Sequence, residues 1–297
     1  MTGVRLTVAG IGAGYFAQFH VAGWRAIDDV RVVAWCDAAP ARAEAAGAAR
    51  GARAYTDAGQ MLAPERPGLL DIVPPPATHA ALVELAAARR VPVICQKALA
   101  PSLAEAEAIV DRADAAGVPL VVHENFRWQP WYREARRWLD TGALGTPHGI
   151  AFRLRPGDGQ GAAAYLDRQP YFHFTFDRYA TSAGVFDGNR LNDHVAANPR
   201  RTMGEMWLEG SAGVLRLDGD ARLWFKPHGQ AEREHLYDRG DDRAFGGGCV
   251  QALQRHAVAH LLDGAPLENG GRDYLQNLRI QDAVYRSHDE GRRVALL

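Results

Sequence analysis

The chain has 297 residues and carries 34 Lys or Arg against 35 Asp or Glu, a formal net charge of −1. This balance argues against a nucleic acid or an anionic membrane as a partner bound through bulk charge, and three widely spaced cysteines without a CxxC pair argue against a disulfide framework. The length suits two domains, and because we find no leader pattern and no apolar run of bilayer length, we predict a cytoplasmic protein.

The first predicted element is a strand that ends in a glycine-rich turn. Residues 4–8 alternate between apolar and shorter or polar side chains, which is typical of a strand. Gly12-x-Gly14-x-x-Ala17 then matches the G-x-G-x-x-G/A pattern of a dinucleotide-binding turn. Gly14 would let the backbone approach a pyrophosphate, because no Cβ intervenes, and the helix start that follows presents free N–H groups. The alternative is a glycine-rich turn in another kind of α/β unit.

The second predicted strand ends in an acid. The apolar run over residues 30–36 leads directly into Asp37, twenty residues after Ala17. A carboxylate at this position is placed to accept hydrogen bonds from an adenosine ribose. It would also repel the extra phosphate of NADP, so we predict NAD as the cofactor, with NADP as the alternative because Arg42 lies nearby.

Strands and helices alternate as far as residue 122. An alanine-rich helix follows Asp37, a second helix is predicted over residues 79–90, and Ser102 with Glu105 forms a capping box for a third. Further buried strands are predicted over residues 69–73, 91–95 and 118–122. Strands that alternate with helices indicate right-handed crossovers and a parallel sheet.

The pattern changes to period-two alternation after residue 123. Such runs lie at residues 150–154, 173–177, 203–208, 214–217 and 222–225, and they are followed by predicted helices over 249–262 and 272–290. Alternation with turn-rich joints indicates an antiparallel sheet with one covered face. The predicted fold class is therefore α/β, with a Rossmann dinucleotide-binding domain (residues 1–122) and an α+β domain with a mostly antiparallel sheet (residues 123–297). The uncovered face of that sheet predicts a homo-dimer or tetramer.

Several segments together resemble the glucose–fructose oxidoreductase, inositol dehydrogenase and rhizopine-catabolism family. They are residues 12–20, 74–79, 95–106, 121–133 and 272–294, together with the acid Asp37. The resemblance extends over nearly the whole chain and implies a Rossmann domain joined to an antiparallel α/β domain. Members mostly transfer hydride between nicotinamide and a sugar or cyclitol carbon. The resemblance thus implies an NAD(P)-dependent oxidoreductase with a small-molecule sugar or cyclitol as its substrate.

The resemblance also assigns cofactor-binding positions in this chain. They are Gly12, Gly14, Tyr15 and Phe16 at the pyrophosphate turn, Asp37 at the ribose, Pro75 and His79 beside the cofactor, and Gln96. Gln96 stands where the family signature Glu-Lys-Pro has its acid, so a partner for a cation is lost there. Ala98 replaces the proline of that signature and frees the φ angle that proline would fix.

The lysine of that signature is Lys97, which the resemblance places between nicotinamide and substrate as the catalytic residue. It would hydrogen-bond the reacting hydroxyl and stabilise the negative charge that develops there. The alternative is an ordinary surface lysine that follows a strand. Asn125 and Arg127 are implied to contact the substrate or the cofactor, with a plain loop role as the alternative for each.

One family feature is missing from the second predicted domain. Members carry a helix there with an acid and a histidine one turn apart, and that histidine is the usual acid–base group. In this chain only eleven residues separate the glycine-rich residues 156–161 from the predicted strand 173–177, so the motif is absent. His173 and His194 lie nearest in sequence, and each is better interpreted as a strand or loop histidine. This absence favours an alternative function, a catalytically impaired member that binds nucleotide or sugar as a regulatory protein or as a subunit of a hetero-oligomer.

Other residue patterns predict no further chemistry. His256 and His260 lie four residues apart on a predicted helix, a spacing that can hold a metal ion. Because we identify no third ligand, we predict a solvated helix face and no metal site. The sequence has no G-x-S-x-G elbow, and no histidine partner is evident for its cysteines, so a hydrolase is not supported.

Overall fold

The computed structural model describes residues 3–49, 51–154, 201–202 and 204–295. The chain divides into two compact units, one formed by Met1–Asn125 with Val250–Leu297 and the other by Phe126–Cys249. The first division lies three residues from the boundary that the sequence predicts. The segment from Val250 onwards differs, because it belongs to the first unit, whereas the sequence pattern predicts that it belongs to the second domain.

The first unit is built on a parallel sheet of six strands. They are β1 (Leu6–Ile11), β2 (Val30–Cys36), β3 (Arg53–Tyr55), β4 (Leu69–Ile72), β5 (Val93–Gln96) and β6 (Leu120–His123). The spatial order is β3-β2-β1-β4-β5-β6, and all neighbouring pairs are parallel. This is the Rossmann order, in which the direction of winding reverses between β1 and β4. Ligands of such sheets bind at the carboxyl ends of the strands beside that reversal.

Five helices connect these strands. They are α1 (Ala17–Arg25), α2 (Pro40–Ala48), α3 (Ala58–Glu65), α4 (His79–Ala87) and α5 (Leu103–Ala115). Strands β4, β5 and β6 are buried along their whole length, as expected for a parallel sheet that helices cover on both faces. The predicted capping box is confirmed at α5, where the Ser102 hydroxyl accepts the Glu105 N–H at 3.2 Å and donates to the Glu105 carboxylate at 3.0 Å.

The second unit contains helix α6 (Pro130–Asp140) and an antiparallel sheet of five strands. The strands are β7 (Pro147–Leu154), β8 (Gly204–Gly210), β9 (Gly213–Leu217), β10 (Leu223–Pro227) and β11 (Arg233–His235), in the order β11-β10-β9-β8-β7. Alternate residues of β8 and β9 are buried and join a core with Trp131 and Ala135 of α6. The predicted antiparallel sheet is therefore confirmed. The predicted strand 173–177, with His173, and His194 lie outside the described residues.

Two further helices complete the described chain, α7 (Cys249–Asp263) and α8 (Gly271–Glu290). Arg272 of α8 forms hydrogen bonds to Asp111 and Asp114 of α5 at 2.8 and 2.5 Å, and Leu275 is fully buried in the core of the first unit. Before α8, the Val122 N–H of β6 donates to the Asn269 carbonyl at 2.8 Å. These contacts explain why the carboxyl-terminal helices belong to the first unit. Across the ranges that the structure describes, no helix is both long and apolar enough to cross a membrane.

Candidate active site

The turn between β1 and α1 leaves space beside its second glycine. Gly12 has a φ of +91°, and a Cβ built there would lie 2.7 Å from the backbone nitrogen of Pro74, so only glycine fits without displacement. A Cβ built on Gly14 would meet nothing within 4 Å. Gly14 is exposed and lies three residues before the start of α1 at Ala17. An open backbone at a helix start provides the N–H groups that a phosphate needs.

Asp37 ties this turn to the end of β2. Its carboxylate accepts hydrogen bonds from the backbone N–H groups of Ala13 (2.7 Å) and Ala39 (2.9 Å) and from Arg42 Nε (3.0 Å). Burial acts to raise the pKa of Asp37, but these hydrogen bonds outweigh burial and lower the pKa below its usual value. An ionised carboxylate has about four acceptor positions, so one is left for a ligand hydroxyl.

The aromatic residues of the turn have different surroundings. Tyr15 is 42% exposed and makes an edge contact with Phe19, with ring centres 5.7 Å apart. Phe16 is half-buried, and its ring centre lies 5.5 Å from that of His20 and 6.5 Å from that of His123. Phe16 therefore covers buried histidines, whereas Tyr15 faces outwards. Their predicted contacts with a cofactor stay predictions.

His79 connects two loops at this edge of the sheet. The ring is fully buried, with Nε2 2.8 Å from the Pro74 carbonyl and Nδ1 3.0 Å from the Leu99 carbonyl. The family resemblance implies that His79 lies beside the cofactor. In the structure both ring nitrogens lie against backbone carbonyls, so the ring bridges the loops after β4 and β5, and its predicted place beside the cofactor stays a prediction. Pro75, in the first of these loops, is exposed.

Burial of His79 and His123 makes stability depend on pH. Burial lowers the pKa of His79, and burial together with the neighbouring His20 lowers the pKa of His123 well below 6.5. The unfolded chain then binds more protons below about pH 6.5, so stability falls as the pH drops through that value, by up to about 1.4 kcal/mol per pH unit for each histidine. The carboxylates whose pKa is lowered in the folded protein change its stability only below about pH 4.

We therefore expect the melting temperature to fall between pH 7 and pH 5. His123→Gln should make the melting temperature depend less steeply on pH, because it removes one histidine whose pKa is lowered by burial in the folded protein. His148→Gln is the control, since His148 is exposed. Calorimetric melts over the pH range measure the slopes. If the slope of melting temperature against pH is unchanged in His123→Gln, the burial of His123 does not contribute to the pH dependence of stability.

Lys97 follows β5 at the same edge of the sheet. It is half-buried, and its peptide bond to Ala98 is cis. Burial lowers the pKa of the Lys97 ammonium, and the carboxylate of Glu124 acts in the opposite direction. The neutral amine is therefore more accessible at Lys97 than at an ordinary surface lysine.

The composition of the chain also singles out this residue. Of the 34 basic residues only Lys97 and Lys226 are lysines, and the remaining 32 are arginines. Arginine keeps its proton under all physiological conditions, whereas a buried lysine can release it. Of the two lysines, Lys97 is half-buried and Lys226 is exposed.

The remaining predicted residues are placed as follows. Asn125 is 1% exposed at the end of the first unit, and Arg127 is exposed at the start of the second unit. Their contacts with substrate stay predictions. On α7, His256 Nε2 accepts the Glu268 N–H at 2.7 Å and His260 Nδ1 lies 2.7 Å from the Ala265 carbonyl, so both rings contact the backbone of the following loop. In the described part of the chain, no three His, Cys, Asp or Glu residues are grouped as metal ligands.

Comparison with known proteins identifies the family. Residues 6–124 match a family described as an oxidoreductase family with an NAD-binding Rossmann fold. D-apiose dehydrogenase from Paraburkholderia graminis is 34% identical over 344 aligned residues, covering 96% of this chain and 88% of that protein. The chain belongs to the glucose–fructose oxidoreductase, inositol dehydrogenase and rhizopine-catabolism family. Rhizopine catabolism protein MocA of Rhizobium meliloti, another member, is 33% identical, with 96% of this chain and 95% of that protein covered.

A solved structure supports the same assignment. An oxidoreductase from Agrobacterium radiobacter in complex with NAD+, L-tartaric acid and magnesium superposes with a TM-score of 0.82 at 26% identity, covering 98% of each chain. The predicted family, fold class and oxidoreductase activity are thereby confirmed, and the nicotinamide cofactor is confirmed at the level of the family. The 344 aligned positions with D-apiose dehydrogenase exceed the 297 residues of this chain, so several dozen positions lie opposite gaps in it.

Proposed function

We propose that this oxidoreductase oxidises a hydroxyl of a sugar or cyclitol with NAD, and that Lys97 takes the hydroxyl proton. The observation that carries the proposal is the position of a half-buried lysine with a lowered pKa at the carboxyl edge of a Rossmann sheet. The open backbone at Gly14 lies at that same edge, after β1.

The residues of the first unit fit a dinucleotide. The space beside Gly14 would take the pyrophosphate, with the N–H groups at the start of α1 as donors. The remaining acceptor position of Asp37 would take a ribose hydroxyl, which favours NAD. Arg42 Nε lies 3.0 Å from the Asp37 carboxylate, and that carboxylate would repel the extra phosphate of NADP. When bound, the nicotinamide ring supplies the acceptor for a hydride.

The chain must provide for the proton. Oxidation of an alcohol removes a hydride from carbon and a proton from oxygen, and the carbonyl forms as both leave. The neutral amine of Lys97 accepts the hydroxyl proton at Nζ, and in the reverse direction the ammonium returns it. Because burial lowers the pKa of Lys97, a larger fraction of the side chain is neutral at a given pH.

The relatives favour an active enzyme over a regulatory protein. D-apiose dehydrogenase and the inositol 2-dehydrogenases among the similar proteins are named for oxidation of sugars or cyclitols. These names support an active dehydrogenase for this chain and an aldose or cyclitol as its substrate class. The proposal assigns proton transfer to Lys97, which does not require the histidine motif that the sequence lacks.

A substrate panel tests the function. We expect NAD reduction, followed by absorbance at the reduced nicotinamide band, with at least one compound from a set of D-apiose, other aldoses and inositols. If NAD raises the melting temperature but no compound in the panel is oxidised, the enzyme proposal fails and the binding alternative is supported.

The pH dependence of kcat/KM should identify Lys97 as the proton acceptor. Because the neutral amine is the active form, kcat/KM for oxidation should rise with pH and level off above the pKa of Lys97, which lies below 10.5. Glu124→Gln removes a charge that raises this pKa, so the rising limb should move to lower pH. A profile that falls with pH, or an unchanged limb in Glu124→Gln, would contradict the role of Lys97 as the proton acceptor.

We also propose that the protein forms a homo-dimer or tetramer through the sheet of the second unit. Ile150 and Phe152 of β7 are 68% and 44% exposed, and apolar side chains on a sheet surface favour association. Light scattering should give a mass of at least two chains, and replacing both residues with glutamate should shift it towards one chain. A monomeric mass for the unmodified protein would reject this proposal.

A further inference from the structure

A buried chain of polar side chains leads to the backbone of Lys97 from inside the first unit. His20 of α1 and Asp71 of β4 are fully buried, and Gln96 at the end of β5 is 5% exposed. The Asp71 carboxylate accepts hydrogen bonds from Trp24 Nε1 at 2.6 Å and from His20 Nδ1 at 2.9 and 3.0 Å. These donors compensate the buried charge of Asp71.

The hydrogen-bond directions in this chain follow from its two ends, the Asp71 carboxylate and the Lys97 backbone N–H. A carboxylate only accepts, so His20 Nδ1 must carry a hydrogen. A backbone N–H only donates, so Gln96 Oε1 must face Lys97, whose N–H it accepts at 2.7 Å. The Gln96 amide nitrogen then lies 3.1 Å from His20 Nε2 and donates to it, so Nε2 is the acceptor. A flipped amide would set two donors against each other at Lys97 and two acceptors at His20.

We propose that Gln96 is a positioning residue for Lys97. The side chain of Gln96 connects the His20–Asp71 pair to the backbone of Lys97, and because it is an amide it places no charge there. This inference rests on the proposed role of Lys97 in proton transfer. The side chain of Gln96 is nearly inaccessible, so it acts through the peptide of Lys97 and not through contact with a ligand.

Other ionisable residues lie close to this chain of side chains, so the variants used in a test must leave these residues unchanged. Glu124 follows β6 and raises the pKa of Lys97. His123 at the end of β6 lies with its ring centre 4.0 Å from that of His20, and burial lowers its pKa. His79 of α4 contacts the Leu99 carbonyl two residues after Lys97. None of these residues is replaced in the variants below.

Two variants separate positioning from general stability. Gln96→Ala removes the contact with Lys97. The control is Gln254→Ala, which removes a different glutamine that is fully buried and donates to the backbone carbonyl of His20 at 2.9 Å. Both should lower the melting temperature. Only Gln96→Ala should lower kcat, by about tenfold or more, because a small displacement of a reacting group has an effect of that size. The dissociation constant for NAD should be unchanged in both.

The two lysines of the chain give a readout that needs no turnover. After reductive ¹³C-methylation the full-length protein should give two lysine signals, and Lys226→Arg identifies that of Lys97. The titration midpoint of Lys97 should move upwards in Gln96→Ala, since water enters the vacated space, and stay in place in Gln254→Ala. If the unmodified protein oxidises no sugar, the proposed function fails, but this titration still tests the positioning role.

Gln96→Glu provides a nearly isosteric second test. Its carboxylate can still accept the Lys97 N–H but must share a proton with His20 Nε2, which otherwise faces it as an acceptor. Loss of that proton with rising pH should disturb the cluster. The kcat profile should therefore become bell-shaped, whereas that of the unmodified enzyme rises to a plateau. An unaltered plateau in Gln96→Glu, or an unmoved Lys97 midpoint in Gln96→Ala, would overturn the inference.

Discussion

Lys97→Ala is expected to lower kcat for sugar oxidation by about 10²–10⁴-fold, the usual contribution of a positioned acid–base group. The dissociation constant for NAD should stay within about twofold, because the predicted dinucleotide contacts are made by the turn after β1 and by Asp37. Steady-state kinetics and calorimetric titration with NAD measure the two quantities separately.

Two further variants sharpen this test. Lys97→Arg keeps the positive charge but cannot release a proton, so it should lose about as much activity as Lys97→Ala. Lys226→Ala is the matched control, because Lys226 is the other lysine of the chain and lies exposed on β10 of the second unit. Activity in Lys97→Arg close to that of the unmodified enzyme would show that charge, and not proton transfer, is what the site requires.

Gly14→Ala should weaken NAD binding by at least about 100-fold, equivalent to about 2.7 kcal/mol, while the protein stays folded. The added Cβ meets no protein atom within 4 Å, so the melting temperature should hardly change. The same methyl group would occupy the space that the pyrophosphate requires.

Gly12→Ala is the informative comparison. At this position φ is +91° and a Cβ would lie 2.7 Å from the Pro74 nitrogen, so we expect a loss of about 1–3 kcal/mol of stability as well as of binding. Calorimetry with NAD and thermal melts separate the two glycines. Normal NAD binding by Gly14→Ala would show that the dinucleotide does not approach this turn.

Local patterns in the sequence predicted much of the first unit. The apolar run at residues 30–36 coincides with β2, and Ser102 caps α5 as its spacing with Glu105 predicts. Strand β3, with three residues, and helix α3, which contains Pro64, were missed because such short elements carry little periodicity. In the structure β3 pairs with β2 at the edge of the sheet, and Met61 and Leu62 of α3 are buried in the core.

Contacts between distant residues could not be predicted in the same way. The carboxyl-terminal helices belong to the first unit because residues such as Arg272 and Asn269 contact α5 and β6, more than 140 residues away in sequence. The two carbonyl contacts of His79 depend equally on tertiary packing. Family resemblance suggested which residues lie at the site, but only the structure shows that the side chains of His79 and Gln96 are buried and contact the backbone of neighbouring loop residues.

The most direct test of the central claim is to add NAD to the ¹³C-methylated protein and follow its two lysine signals. If the dinucleotide binds at the carboxyl edge of the sheet where Lys97 lies, the Lys97 signal should shift saturably while the signal of Lys226, on the second unit, stays in place. A Lys97 signal that does not respond to saturating NAD would contradict the account.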